Sequence, residues 1–282
     1  MLSGAVDKPA ISPLKIRGFP QETDHDQISV LRYMPFARLL SMVRFQAGWF
    51  SRVGALQDEF EGTNPRGGRA IILELAKNSP FVEKSKAMGL WDAMLASTSD
   101  AGRSAEGGRI GYVVNCWFLG NGEKAEMWKT FGDDGAGIAI RSTITRLSSA
   151  FYIPEDYNLV SRVGRINYVD FETHECANGN DATEVALLKN KKYENENEVR
   201  VMILNSFHSG CLSIDGIPWR PGLPAFSPTI KGYYIRCDLS QLMDGIIVGP
   251  NMRQANRDLI KKLIGPDGKP ISVEYSQLAP WH

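Results

Sequence analysis

Apolar and polar positions recur along this chain with two periods, one near two and one near 3.6, and the switches between them mark its elements. Ile28-Ser29-Val30-Leu31-Arg32-Tyr33 predicts a first strand, stopped by Pro35. Phe36, Leu39, Leu40 and Val43 then fall at helical spacing and predict a short amphipathic helix over Phe36 to Gln46, ended by Gly48. Trp49-Phe50-Ser51 is a second short apolar piece. From residue 55 to 108 the pattern reads as helical, with Ala70 to Ala76 and Phe81 to Leu95 as periodic stretches before a loop over Ser97 to Gly108. Ile110 to Leu119 and Gly137 to Arg141 predict strands flanking a helix at Glu123 to Thr130, and Val163 to Phe171 predicts another strand. A helical run over Asp181 to Tyr193 is followed by strands at Tyr233 to Asp238 and Gly245 to Pro250. A helix over Asn251 to Ile264 and a strand at Ile271 to Tyr275 complete the pattern. Residues 1–27, with Pro9, Pro13 and Pro20, read as an N-terminal arm, and residues 28–282 as a single domain. Strands dispersed among helices without regular alternation predict an α+β domain with a mixed, split central sheet and inserted helices.

The densest chemistry lies in Tyr193-Glu194-Asn195-Glu196-Asn197-Glu198-Val199-Arg200-Val201-Met202-Ile203-Leu204, where alternating carboxylates open into a β-branched, apolar run. On a strand Glu194, Glu196 and Glu198 share one face. Three carboxylates there repel one another, and the last is about to be buried, so they need partners. Two readings follow: a carboxylate site at the mouth of a sheet, or an ion-paired junction in which Glu198 meets Arg200 on its own face.

Composition narrows the classes. With 32 basic and 32 acidic residues among 282, no global field draws nucleic acid or an anionic membrane. Cys116, Cys176, Cys211 and Cys237 form no Cys-x-x-Cys pair, which argues against a zinc ribbon or a disulfide scaffold. No secretory pattern opens the sequence and no apolar run nears the ~20 residues of a membrane span, so the expected setting is the cytoplasm, away from membranes. His25, His174, His208 and His282 have no spacing suited to a metal or a Cys–His nucleophile pair. Gly132-Asp133-Asp134-Gly135-Ala136-Gly137 lacks both the phosphate-loop Lys and the dinucleotide-fold spacing, and reads as a tight connection.

Cys116-Trp117-Phe118, then Glu126-Met127-Trp128-Lys129-Thr130-Phe131-Gly132 and Gly137-Ile138-Ala139-Ile140, resemble a bacterial family known as domain of unknown function 2971. Leu31-Arg32-Tyr33, Trp49-Phe50-Ser51, Asp58-Glu59-Phe60-Glu61-Gly62, Glu198-Val199-Arg200 and Ile246 to Pro250 extend that resemblance over residues 28–250. A second resemblance is to the ADP-ribosyltransferase core: Arg32 on a first strand, Ser51 on an aromatic-flanked strand, and Glu196-Asn197-Glu198 opening a later one. It implies an ADP-ribosyltransferase-like sheet and NAD as substrate without a metal. It also implies transfer of ADP-ribose to a protein or nucleic-acid acceptor, or NAD glycohydrolysis, and a toxin or phage-defence setting would suit that chemistry. Glu198 and Glu196 would be catalytic, and Arg32, Tyr33, Ser51 and Trp128 would bind the dinucleotide. The residue types suit these roles. A guanidinium clasps pyrophosphate, a hydroxyl can hold the catalytic carboxylate, and that carboxylate stabilises the ribosyl cation formed as nicotinamide leaves. The sequence departs from that pattern in having only 19 positions between Arg32 and Ser51, and Arg52 where many members carry Ser or Thr.

Two rivals accompany this reading. Asp58, Glu61, Asp170, Glu196 and Glu198 could serve a metal-dependent nuclease, although Arg200 stands where such enzymes usually have Lys. A non-catalytic protein-binding module would have ion-paired carboxylates and no deep pocket near Glu198. Ordinary packing also competes residue by residue: Trp117 and Trp128 as core, Arg32 as a structural ion pair, Ser51 as a strand-end hydroxyl, and Asp58 and Glu61 as helix-start charges.

Overall fold

The computed structural model describes residues 13–63, 65, 112–153, 160–174, 184–204, 212–214, 217–218, 231–264 and 271–278. The helices expected over 70–76 and 81–95, the loop over 97–108, and Cys176, Cys211, His208 and His282 lie outside the described residues. What is described is a mixed α+β arrangement built on one extended sheet of twelve strands.

The sheet is organised by β4 (Tyr112–Leu119), an apolar strand buried on both faces. One edge of β4 pairs along its whole length with β9 (Glu198–Leu204), antiparallel, from Tyr112 opposite Leu204 to Phe118 opposite Glu198. Beyond β9 lie β6 (Val160–Arg165) and β1 (Lys15–Arg17). The expected arm therefore contributes an edge strand, and Leu14 beside it is buried in the core. The other edge of β4 is shared. β3 (Ala47–Arg52) takes its first half at Val113 and Val114, while β2 (Ser29–Met34) takes its last at Phe118 and Leu119. Between them Asn115, Cys116 and Trp117 have no strand on that side, and the sheet forks. β3 leads on to β12 (Gly232–Arg236), β10 (Leu212–Ile214) and β11 (Ile217–Pro218). β2 leads to β5 (Ile138–Thr143), β13 (Gly245–Val248) and β14 (Ser272–Tyr275).

The two tines are joined by α1 (Phe36–Phe45), which starts after Pro35 and buries Leu39 and Met42. Gln46, in the left-handed region at φ 48°, ends it by returning its N–H to the Met42 carbonyl, so Gly48 is not the stop signal its type suggested. Gly48 instead sits within β3, where a Cβ would come within 2.9 Å of the Phe151 ring. α2 (Ala125–Phe131) covers the β2–β5 tine, and α3 (Ile144–Ser149) is capped by the Thr143 hydroxyl, which accepts from the Arg146 N–H. α4 (Leu239–Leu242) and α5 (Gln254–Ile264) complete the described helices. The run expected as one strand over 163–171 is β6 and then β7 (Asn167–Val169), which pairs in a separate two-stranded sheet with β8 (Leu188–Asn190).

The largest departure from the sequence pattern concerns residues 184–198, the first three residues of the expected helix, 181–183, lying outside the described ones. In place of a helix running into an acidic strand, a 3-10 turn (Val185–Leu187), β8, and a second 3-10 turn (Lys191–Glu196) follow one another. Asn197 then turns in the left-handed region at φ 39°, and its side-chain amide donates to the Leu119 carbonyl at 2.6 Å. Glu194 and Glu196 thus belong to a 3-10 turn, and Glu198 alone begins the strand. Alternating charge without β-branched residues lets the backbone coil, whereas Val199-Arg200-Val201-Met202 extends.

Trp128 tests the core on the α2 side. It is fully buried, donates its indole N–H to Glu123 at 2.9 Å, and meets the Tyr33 ring edge-to-face at 4.9 Å. Trp128→Ala should destabilise the protein by ~3–5 kcal/mol, as buried aromatic truncations do. Chemical denaturation of the purified variant measures this, and an unfolding midpoint equal to wild type would show that Trp128 does not hold α2 to the sheet.

Candidate functional site

Arg200 lies in the middle of β9, opposite Cys116 on one side and Gly164 on the other, with none of its surface exposed. A guanidinium there must find acceptors. Its Nε donates to Glu198 Oε1 at 2.6 Å, its Nη2 to Glu198 Oε2 at 3.0 Å and to Glu61 Oε1 at 2.8 Å, and its Nη1 to the Ala186 carbonyl at 3.1 Å. Lys189 completes the cluster: its ammonium lies 2.7 Å from Glu196, 3.0 Å from Glu198 and 3.1 Å from Glu61. Three carboxylates thus surround two buried cations. Gly164 makes this geometry accessible, because a Cβ there would fall 2.5 Å from a Leu187 methyl. The missing side chain lets the 3-10 turn settle on the sheet and bring Ala186 and Lys189 to Arg200.

The carboxylates differ in state. Burial alone would raise the Glu198 carboxyl, but Arg200 and Lys189 outweigh it and hold it well below the ordinary carboxylate range. Burial raises Glu196, and the attraction of Lys189 only partly offsets this. The Glu198 backbone N–H donates to the Tyr168 hydroxyl at 2.8 Å, which fixes the first residue of the strand. Asp58 holds the neighbouring turn, accepting from the Phe60 N–H at 3.1 Å and from the Asn190 N–H at 3.3 Å. Asp58 and Glu61 therefore sit in a turn and an ion cluster, not at a helix start.

A cavity of about 320 Å³ opens onto this cluster. Its lining includes Glu196, Glu198, Lys189, Arg200, Asp58 and Glu61 on one side, and Arg32, Tyr33, Ser51 and Cys116 towards the fork. Met127 and Phe131 of α2, with Leu56 and Tyr193, add apolar surface, and Phe131 is 39% exposed. Arg32, Tyr33, Ser51, Glu196 and Glu198, from three separate stretches of sequence, are thereby brought together. Trp128 is not among the lining residues; it stands in the core behind Tyr33, because its neighbours on α2 face the opening. Asp170 is also absent from the lining, and its carboxylate accepts from the Glu172 N–H at 2.9 Å.

Two roles carried by the resemblance meet different partners. The Ser51 hydroxyl accepts from the Trp49 indole N–H at 3.0 Å, and it is Arg200 and Lys189 that hold the Glu198 carboxylate. Arg32 has no acidic partner among the described residues. Its Nη2 donates to the Trp49 carbonyl at 2.9 Å, and its Nη1 is buried without a partner. Burial lowers its guanidinium to about 10, and the like charge of Arg38 acts in the same direction. Cys116 lines the cavity beside Glu198, yet burial pushes its thiol up, so it is no ready nucleophile. Among the described residues no group of three or more His, Cys, Asp or Glu side chains is placed to share a metal ion. No described helix is long and apolar enough to cross a membrane.

The sequence pattern missed Lys189, because it fell within a run read as a helix preceding the acidic strand. The one signal for it was its position beside Leu187 and Leu188, which mark a buried segment. Comparison of the chain with protein-family models, with curated proteins and with solved structures returned no match.

The cluster makes a pH-dependent prediction. The folded Glu198 carboxyl lies below the unfolded value of ~4.3, so its contribution is full above that value and is lost as pH falls through the folded one. Arg200→Met should cost ~3–5 kcal/mol at pH 7, since it strands a buried carboxylate. The cost should shrink by ~1.4 kcal/mol per pH unit once the stranded Glu198, raised by burial above the ordinary ~4.3, takes up a proton that the wild-type ion pair refuses until about 2. Urea unfolding across this range measures it, and a penalty independent of pH would remove Glu198 as the partner that matters.

Proposed function

We propose that the cavity binds the nicotinamide–ribose end of NAD and cleaves its N-glycosidic bond, passing ADP-ribose to an acceptor or to water. The observation that supports this reading is the meeting of Arg32, Ser51, Glu196 and Glu198 on one cavity lined in part by aromatic and apolar side chains. Its volume lies at the small end of ligand sites, suited to one half of a dinucleotide. Glu198, anionic and immobile, supplies fixed negative charge beside the ribosyl cation that develops as the bond breaks. Among the described residues Glu196 is held by Lys189 alone, and its carboxyl is raised, which suits a group that accepts a proton from the attacking hydroxyl. The ADP-ribosyltransferase resemblance and the domain-of-unknown-function 2971 resemblance belong to the same proposal.

The nuclease reading is weaker, because three of the carboxylates it would offer to Mg²⁺, Glu61, Glu196 and Glu198, are already engaged by Arg200 and Lys189, and Asp170 does not line the cavity. One observation favours a binding module: both Glu198 oxygens are occupied by cations, as a structural ion pair requires. That module, however, expects no pocket beside Glu198.

Nicotinamide release from NAD, measured in chelator alongside melting temperature, separates these readings. Glu198→Gln should lower release by two to three decades and also lower the melting temperature, because Arg200 loses its closest partner. Glu196→Gln, at a partly exposed position, should keep the wild-type melting temperature while losing transfer to an acceptor more than simple hydrolysis. No release by folded wild-type protein, or release untouched by either substitution, would leave the cluster a structural one.

A further inference from the structure

Beyond the fork, α1 and β3 frame a second groove of about 380 Å³, lined by Pro35, Ala37, Arg38, Ser41, Trp49 and Tyr234. Trp49 links the walls of the cavity and this groove. Its indole N–H reaches Ser51 in the cavity wall, while its ring is part of the groove. Two guanidinium groups touch this tryptophan from different sides. Arg32 donates to its carbonyl at 2.9 Å, and the Arg38 guanidinium carbon lies 5.2 Å from its ring centroid. Neither has a carboxylate partner among the described residues, and the first turn of α1 carries no acidic residue. Tyr234 meets Trp49 edge-to-face at 5.0 Å and gives the groove a second aromatic surface.

The buried cations on the far wall of the cavity are neutralised. Arg200 and Lys189 between them gather three carboxylates. Here two like charges share one tryptophan and no acid, and an orphaned N–H of Arg32 lies behind it. Such an arrangement is relieved by an oxyanion, and guanidinium groups match phosphate oxygens in geometry as well as charge. Aromatic side chains beside them accept a base or ribose face.

We propose that this groove is a phosphate subsite, in which Arg38 contacts a phosphate or pyrophosphate oxyanion and Arg32 adds its uncompensated charge from behind Trp49. The subsite rests on the NAD reading only for the molecule that carries the phosphate. A dinucleotide whose nicotinamide–ribose half occupies the cavity would extend its pyrophosphate past Trp49.

Calorimetry with inorganic pyrophosphate, in chelator and at low salt, tests the subsite directly. Wild-type protein should bind it. Arg38→Gln should weaken binding about tenfold or more at an unchanged melting temperature. Arg44→Gln, at the exposed far end of α1, should bind as wild type does. No heat from wild type, equal affinity in Arg38→Gln, or an equal loss in Arg44→Gln would each overturn the proposal. Nicotinamide release by the same proteins keeps the two ideas apart. Pyrophosphate held through Arg38 by a protein that leaves NAD intact would sink the NAD reading and keep the subsite. Release from NAD by a protein whose pyrophosphate binding ignores Arg38 would do the reverse.

Discussion

A fully buried guanidinium in the middle of a strand is the constraint on which the described site depends. Arg200 cannot be solvated, so the chain must bring acceptors to it, and it does so from three directions. Glu198 comes from its own strand, Glu61 from the turn after β3, and the Ala186 carbonyl from the 3-10 turn that leads into β8. The turn and the 3-10 segment with β8 lie outside the twelve-stranded sheet that holds Glu198. Their attachment to Arg200 and Lys189 builds one wall of the cavity. A buried cluster of this kind is not in itself a source of stability, because desolvation offsets most of the attraction. What it contributes here is position: removing one member leaves the others uncompensated, so the arrangement holds as a unit.

The fork in the sheet supplies the other wall. Because β2 and β3 share one edge of β4, neither covers Asn115 to Trp117, and side chains take the place of a strand. Asn115 and Arg32 both donate to the Trp49 carbonyl, one from β4 and one from β2. The Trp117 ring lies beneath the Arg32 guanidinium at 5.8 Å. Polar side chains that stand in for a strand leave a gap that a sheet would have closed. The cavity reaches Cys116 and Trp117 in that gap, and Trp49, whose carbonyl both donors share, lines the groove beside α1.

The electrostatics of the two sides are unlike. Around Arg200 and Lys189 acids outnumber cations, and all of them are locked together. Around Arg32 and Arg38 the cations stand without acids among the described residues. In a chain whose formal charges sum to zero, this separation arises entirely from folding. It places an ion-paired acidic cluster on one wall of the cavity and the Arg32 guanidinium on the other, with Arg38 on the groove beside α1.

Much of the sheet was legible in the sequence because period-two runs of β-branched and aromatic residues have few alternatives to extended backbone. The strands at 29–34, 112–119, 138–143, 232–236 and 245–248, and the helices over 36–45 and 125–131, follow from pattern alone. So does the pairing of Glu198 with Arg200, since two residues apart on a strand means one face. The segment 185–196 was not legible. Its alternating charges carry no period that distinguishes a 3-10 turn from a strand, and its fate depends on Gly164 and Arg200, both fixed by pairing with distant chain. Which acids share the cluster, that Lys189 is buried with them, and that Arg32 has none were likewise decided by tertiary structure. Sequence periodicity records which way a side chain points from its own backbone, whereas a partner's identity depends on which other strand comes to lie beside it.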